Sequence, residues 1–223
     1  MDLKRLPADQ RPRERLLAQG PAALTDAELL ALLLRTGLPG QGVLVLAQAV
    51  LDGCGGFAGL VRQRPQELAR IKGLGPAKRA ELAAVAEIAR RALAQQLRAQ
   101  PVLETPAQVA DYLGLLLAGQ AREVFVVLYL DAQHRLVGQQ RFEGSIRHTD
   151  VPPREVVREA LALNAAAALC AHNHPSGMAE PSGADVALTH TLRQALALVD
   201  VRLLDHLIIG QGCHVSLAER GLV

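Results

Sequence analysis

The stretch that decides the fold of this chain is His172-Asn-His-Pro-Ser-Gly-Met-Ala-Glu-Pro-Ser-Gly-Ala-Asp185. An apolar run from Ala165 to Ala171 precedes it. An apolar run that enters a Pro/Gly-rich turn is typical of a buried strand that ends at a functional site. Because successive strand residues point to opposite faces, His172 and His174 are predicted to lie on the same face.

A carboxylate is predicted to join these two imidazoles. Asp185 follows Ser182 by three residues, which places it in the first turn of the next helix, and the Pro/Gly connection allows that turn to fold back. Two histidines and an aspartate suit Zn²⁺ and leave one position open for water, whose pKa the metal lowers towards neutrality. The sequence therefore predicts a zinc site with the ligands His172, His174 and Asp185.

A hydrolase built on such a site needs a general base to take the proton of the attacking water. Glu123, at the head of the first predicted strand of the same domain, is the candidate, with Glu143 and Glu155 as alternatives. Ser182 is predicted to donate a hydrogen bond to the developing oxyanion. Its alternative interpretation is structural, because Ser182 and Asp185 also have the spacing of an N-capping pair.

Two further groups near this motif are predicted to be structural. Cys170 shares the strand face of the histidines, but its short side chain lies behind His172 and is assigned to the core. Asp205 and His206 form an acid–imidazole pair in sequence. However, neighbouring strand residues face opposite ways, so we interpret this pair as structural.

The charge distribution predicts two domains. Residues 1–100 hold 15 Lys/Arg against 9 Asp/Glu, a balance of +6, and residues 101–223 hold the other 9 against 13, a balance of −4. Short helical segments separated by Gly/Pro turns predict an all-α domain over residues 1–97. Alternating apolar strands and helices predict an α/β domain with a central mixed sheet over residues 102–223. The basic first half favours a polyanion as a partner.

Composition also indicates a compartment. Three widely spaced cysteines without a Cys-x-x-Cys pair fit a reducing environment, and the charged, Pro-rich start lacks the apolar segment of a secretory signal. Apolar runs are far shorter than the roughly 20 residues of a membrane span. We therefore expect a cytoplasmic protein without a membrane partner.

The first half contains a turn that could contact DNA. Ile71-Lys-Gly-Leu-Gly75 is predicted to join two helices, and it resembles the helix-hairpin-helix motif, which binds the nucleic-acid backbone without reading sequence. A phosphate is favoured at the N-terminus of the second helix. The alternative is that the glycines only allow close packing and the cations are solvated. The predicted DNA contact lies within residues 67–91, at these five residues: Lys72, Gly73, Gly75, Lys78 and Arg79.

The spacing His172-x-His, seven residues, Ser182-x-x-Asp185 matches the JAMM (MPN+) metalloprotease signature. The fuller motif, together with Asp205-His206-Leu-Ile-Ile-Gly210 and the upstream Arg11-Pro-Arg-Glu-Arg15, resembles the bacterial RadC family over nearly the whole chain. This resemblance implies a JAMM-type α/β fold, zinc held by the three ligands, a catalytic glutamate that maps to Glu123, and an association with DNA repair.

Three functions from different classes are compatible with these features. The first is a zinc metallopeptidase or isopeptidase that acts on a protein or peptide and contacts DNA through its first half. The second is a metal-dependent nuclease that uses the same activated water. The third is a non-catalytic DNA-binding scaffold with a structural metal. The sequence favours the first function and does not name its substrate.

Overall fold

The protein is described by a computed structural model that covers residues 6–102, 106–117, 119–144 and 150–223. The chain forms two compact units, Met1–Ile88 and Ala89–Val223. The predicted domain bounds at residues 97 and 102 stay a prediction. Thr105, the expected N-cap of a helix, lies outside the described residues. Among the described residues, no helix combines the length and apolar character needed to cross a bilayer.

The first unit is helical, as predicted. Its core consists of leucine, valine and alanine side chains from several helices. A capping box, for which Thr25-Asp-Ala-Glu28 has the required spacing, begins the second helix: the Glu28 backbone N–H donates to the Thr25 hydroxyl, and the Thr25 backbone N–H donates to the Glu28 carboxylate. The helices are α1 (Pro12–Gln19), α2 (Asp26–Leu34), α3 (Val43–Cys54), α4 (Gly56–Leu60), α5 (Pro65–Leu68) and α6 (Pro76–Ala99), of which α6 continues past the end of the unit.

The second unit is an α/β domain with a five-stranded mixed sheet, which confirms the predicted fold class. The strand order is β2-β1-β3-β4-β5, and only the central β3–β4 pair is parallel. The strands are β1 (Val124–Leu130), β2 (Leu136–Glu143), β3 (Ala167–Asn173), β4 (Arg202–Ile209) and β5 (His214–Ser216). The helices are α7 (Pro106–Leu116), α8 (Pro153–Ala162) and α9 (Gly183–Ala197).

Both faces of this sheet are covered, which explains why β1 and β3 are buried along their whole length. One face packs against α7 and the end of α6, and the other packs against α8 and α9. Leu97, the last residue of the predicted first domain, is fully buried in the first of these cores, near the end of α6 at Ala99. Phe125 and Cys170 belong to the core on the α8/α9 face.

The parallel pair β3–β4 contains an irregularity that matters for the site. Ala168 pairs with Leu203 and Leu169 pairs with Asp205, so Leu204 is an extra residue on β4. An extra residue reverses which side chains of the next segment face each side of the sheet. As a result His206 pairs with Cys170 and points to the same face as His172, towards α9.

Candidate metal centre

The three predicted ligands come from two adjacent chain segments. His172 is the penultimate residue of β3, and His174 follows the strand, held by its backbone N–H on the Ile209 carbonyl at 3.1 Å. Asp185 is the third residue of α9, and Ser182 is the N-cap of that helix. The strand therefore begins and ends two residues later than the apolar run predicts, and it contains the first histidine itself.

The three side chains converge on one point. His172 Nε2 lies 2.9 Å from His174 Nε2 and 3.2 Å from Asp185 Oδ1, and His174 Nε2 lies 3.6 Å from Asp185 Oδ2. One donor atom from each residue falls within 4.8 Å of the others. Zinc–ligand bonds of 2.0–2.2 Å place tetrahedral donors about 3.3 Å apart, so these spacings fit zinc.

The hydrogen bonds of the histidines agree with a metal site. His174 Nδ1 lies 2.8 Å from the Met178 carbonyl oxygen, which only accepts, so Nδ1 carries the proton and Nε2 presents its lone pair. His172 Nδ1 is engaged with another imidazole, at 2.8 Å from His206 Nε2. The Nε2 atoms of the two histidines and the Asp185 carboxylate, which face each other at the separations given above, form a donor set suited to a cation.

Asp185 is held as a carboxylate by the start of its own helix. Its Oδ2 accepts from the Ser182 backbone N–H at 2.7 Å and from the Ser182 hydroxyl at 2.6 Å, while the Asp185 backbone N–H donates to Ser182 Oγ at 3.2 Å. Burial by itself would raise the pKa of Asp185, but the adjacent His172 imidazole and the hydrogen bonds from Ser182 together hold that pKa well below its ordinary value. Oδ1 stays directed at His172.

This arrangement is the capping pair that the sequence left open as the alternative for Ser182. The hydroxyl proton of Ser182 is directed at Asp185, and the Ser182 side chain lies at the exposed edge of the site. A role of Ser182 at an oxyanion stays a prediction.

Glu123 precedes β1 next to this site. In the β1–β3 ladder, Phe125 pairs with His172, so continuing the register by two residues places Glu123 opposite His174 and on the same face. The backbone around it is fixed by Asn173, the residue between the two histidines. Asn173 Oδ1 accepts from the Val124 N–H at 2.9 Å, and its Nδ2 donates to the Arg122 carbonyl at 3.1 Å.

The comparisons with known proteins agree with this geometry. Residues 103–222 match the RadC-like JAB domain, and residues 3–80 match the UPF0758 N-terminal family. A UPF0758 protein of Methylibium petroleiphilum is 64% identical over 222 residues, which cover 99% of this chain and 100% of that protein. A UPF0758 protein of a Polaromonas species is 60% identical, with both chains covered in full. The chain belongs to the RadC family.

In this RadC-like domain, the two rival glutamates have other surroundings. Glu143 pairs with Val124 in the β1–β2 ladder, so it points to the face opposite Phe125 and His172, and it lies 3.5 Å from Arg141. Glu155 lies in the first turn of α8, where Arg158 approaches it at 2.5 Å. Position in the sheet therefore favours Glu123 over Glu143, and the carboxylate of Glu155 is engaged by Arg158.

Sequence reasoning missed two residues of the RadC-like site, His206 and Thr189. Both side chains are fully buried, and Thr189 Oγ1 lies 2.6 Å from His206 Nδ1. Burial is the main cause that lowers the pKa of His206 to about 3, and the nearby His172 is the second, so the ring is neutral. Asp205 and His206 do face opposite ways, as expected. Asp205 accepts from the Ser216 hydroxyl at 2.6 Å, but His206 contacts a ligand.

The signal that could have found His206 was the family pattern Asp205-His206-Leu-Ile-Ile-Gly210, since the spacing of residues within β4 does not show which of its side chains face His172. Phe125 was also unassigned. Its ring stacks on His172 with an interplanar angle of 10° and meets His206 edge-on, with centroids 5.1 Å apart. Cys170 is buried in the core, as predicted.

The predicted DNA-contacting residues of the UPF0758 N-terminal unit lie around the α5–α6 turn. Lys78 Nζ donates to the Thr36 carbonyl at 2.5 Å and Arg79 donates to the Pro65 carbonyl at 3.3 Å, so both cations also hold the unit together. Gly73 has φ of +98°, and a Cβ there would lie 2.8 Å from Leu46 Cδ1. These contacts support the packing alternative for Gly73. Lys72 and Gly75 are exposed.

Proposed function

We propose that this RadC family protein is a zinc-dependent hydrolase of the metallopeptidase or isopeptidase type. The observation that carries the proposal is the convergence of His172 Nε2, His174 Nε2 and Asp185 on one point, with the Nδ1 of each imidazole already engaged elsewhere. These three residues would hold Zn²⁺. The metal, when bound, would supply Lewis-acid polarisation of a water molecule and of the scissile carbonyl.

The remaining steps belong to residues of the chain. The Glu123 carboxylate accepts a proton from the attacking water as the C–O bond forms, and it then delivers that proton to the nitrogen as the C–N bond breaks. Asn173 fixes the backbone on both sides of Glu123 and so orients this carboxylate. Ser182 would donate its hydroxyl proton to the developing oxyanion, exchanging its bond to Asp185 for this one.

The decisive experiment combines metal content with substrate capture. The wild-type protein is expected to bind about one zinc per chain, and Glu123→Gln is expected to keep the metal, because Glu123 is not a ligand, while losing hydrolysis. Proteins that co-purify with zinc-loaded Glu123→Gln but not with Asp185→Asn identify the substrate by mass spectrometry. Absence of zinc from the wild type, or equal zinc binding by His174→Ala, would contradict the proposal.

The alternative functions give different results in the same preparation. A nuclease would cleave supercoiled or single-stranded DNA when zinc-loaded, and Asp185→Asn would lose that cleavage. A scaffold with a structural metal predicts that Asp185→Asn lowers the melting temperature and that Glu123→Gln behaves as wild type in cells. The hydrolase proposal requires no DNA cleavage and a defect in Glu123→Gln.

We further propose that the first unit contacts the DNA backbone at the α5–α6 turn, through Lys72, Gly75, Lys78 and Arg79, with Gly73 allowing the turn to pack closely. The support is the exposed Lys72 beside an open Gly75 at the start of α6, within a half of the chain that carries a balance of +6. Lys72→Ala is expected to weaken binding to DNA duplexes of any sequence. The slope of the logarithm of the binding constant against the logarithm of the salt concentration should fall by about one. An unchanged salt slope in Lys72→Ala would argue against this contact.

A further inference from the structure

The imidazole of His172 has an unusual partner for a metal ligand. Ligating histidines generally donate their second ring N–H to a carboxylate, a backbone carbonyl or a water. His174 follows this rule with the Met178 carbonyl. His172 instead faces His206, whose ring nitrogen could either donate or accept. Which of the two imidazoles carries the shared proton must therefore be set by the residue on the other side of the His206 ring.

That next residue is Thr189, one helical turn after Asp185. Its Oγ1 lies 2.6 Å from the Asp185 backbone carbonyl oxygen and 2.6 Å from His206 Nδ1. A hydroxyl has one proton, and a carbonyl oxygen can only accept. The Thr189 hydroxyl therefore donates to the backbone carbonyl oxygen of Asp185. Thr189 Oγ1 consequently accepts from His206 Nδ1–H.

The rest of the chain of hydrogen bonds is set by this assignment. His206 is fully buried and has a hydroxyl and an imidazole, rather than a carboxylate, at its two ring nitrogens, which disfavours a charged ring. With its one proton on Nδ1, the ring has a lone pair on Nε2, and this atom lies 2.8 Å from His172 Nδ1. His172 Nδ1 must therefore donate, which leaves the lone pair of its Nε2 directed at His174 and Asp185. Thr189, His206 and His172 are all fully buried or nearly so, which keeps bulk water from competing for these hydrogen bonds.

We propose that Thr189 and His206 are positioning residues that fix His172 as the tautomer protonated at Nδ1 and thereby tune metal affinity. They also join two ligands, since Thr189 holds the Asp185 backbone at one end and His206 holds the His172 ring at the other. This inference rests on the proposed metal site. Losing such partners typically costs about 10- to 100-fold in metal affinity.

The test uses matched threonine variants of the full chain. Thr189→Val keeps the shape of the side chain and removes the hydroxyl, whereas Thr189→Ser keeps the hydroxyl. Thr191→Val is the control, because Thr191 makes the same bond to a carbonyl four residues earlier, at 2.9 Å from Ala187, on the exposed side of the same helix. The readouts are the dissociation constant for Zn²⁺ from chelator competition and the absorption spectrum of the Co²⁺-loaded protein.

The expected result is a zinc dissociation constant about 10- to 100-fold higher in Thr189→Val. Thr189→Ser should restore the wild-type value, and Thr191→Val should not change it. The Co²⁺ spectrum should change only in Thr189→Val. Wild-type affinity in Thr189→Val would overturn the inference.

A second measurement separates this inference from the proposed function and does not depend on a folded variant. Ring ¹⁵N shifts of the metal-free wild-type protein report the tautomers directly. Protons on Nδ1 of both His172 and His206 support the chain of hydrogen bonds even if no zinc binds, in which case the hydrolase proposal alone would fail. A proton on Nε2 of either residue would overturn the inference whether or not zinc binds.

Discussion

The side chain of Asn173 fixes the backbone on either side of Glu123, accepting from the Val124 N–H at 2.9 Å and donating to the Arg122 carbonyl at 3.1 Å. Asn173 lies between the two candidate histidine ligands in sequence and points to the opposite face of the strand. The middle residue of His172-Asn-His174 therefore connects the candidate metal ligands to the segment that carries the candidate base.

This relationship predicts the effect of replacing Asn173. Asn173→Leu leaves the buried Val124 N–H without its partner, which should lower the free energy of unfolding by about 1–3 kcal/mol. Zinc binding should remain within a few fold of wild type, since Asn173 is not a ligand. Denaturant unfolding and zinc titration measure the two effects. A stable Asn173→Leu protein would show that the contact contributes little.

Removal of a metal ligand should act differently. His174→Ala and Asp185→Asn are each expected to lower the affinity for zinc. The loss should exceed the roughly 10- to 100-fold that is typical when only a ligand's hydrogen-bond partner is removed. His190→Ala is the matched control, because His190 is an exposed histidine of α9 away from the cluster. Metal analysis after dialysis measures the outcome. Zinc loss in His190→Ala as well would place the ion elsewhere.

The loop after His174 packs closely against Gly210, where a larger residue would not fit. A Cβ at Gly210 would lie 2.5 Å from the Gly177 carbonyl oxygen and 3.0 Å from the Ala179 nitrogen, both backbone atoms. Gly210→Ala should therefore displace residues 177–179, destabilise the protein by about 1–3 kcal/mol and weaken zinc binding, because the Met178 carbonyl orients His174.

Gly183→Ala is the control for this substitution. It also lies near the site, but its Cβ would meet no atom within 4 Å, and it occupies the first turn of α9. We expect it to be neutral or to stabilise the protein by up to about 1 kcal/mol. Thermal melting and zinc titration of the two variants side by side check the contrast. Equal behaviour of both variants would refute the steric argument.

The three cysteines should differ in reactivity. Cys213 is exposed, whereas Cys54 and Cys170 are buried, and burial raises the pKa of both buried thiols. Because the thiolate is the reactive form, native protein at neutral pH should take up one equivalent of iodoacetamide, at Cys213. Peptide mass mapping locates the label, and Cys213→Ser should take up none until it is denatured. Rapid labelling of native Cys170 would contradict the buried position.

Asp131, in the turn between β1 and β2, gives a prediction for pH. The Arg135 backbone N–H is the main cause of the lowered pKa of Asp131. Burial opposes it, and the Arg135 guanidinium and the Gln133 N–H lower the pKa further. A carboxyl whose pKa is lower in the folded state stabilises the fold above its ordinary pKa of about 3.9. That stability is lost as the pH falls through the lower, folded-state value.

The free energy of unfolding of zinc-free wild type should therefore exceed that of Asp131→Asn at pH 6. The difference should shrink as the pH falls below about 4. Chemical denaturation across this range measures it. A difference that is constant with pH would show that the turn does not favour the charged form of Asp131.

The sequence by itself determined the local parts of this protein. The Thr25–Glu28 and Ser182–Asp185 capping pairs are fixed by residues three apart, and the two-residue spacing of His172 and His174 sets a common face in any strand. The alternation of buried strands with helices likewise indicated the α/β class, because those signals depend only on neighbouring residues.

The tertiary structure alone decided which distant residues meet. The extra residue Leu204 in β4 reverses the facing of the residues after it, so His206 lies beside His172 rather than on the other side of the sheet. The antiparallel register of β1 on β3 pairs Phe125 with His172, and continuing it by two residues puts Glu123 on the face of the candidate ligands, whereas Glu143 pairs with Val124 on the other face. Register and bulges depend on how two strands far apart in the chain pair, and spacing within one strand carries no record of that pairing.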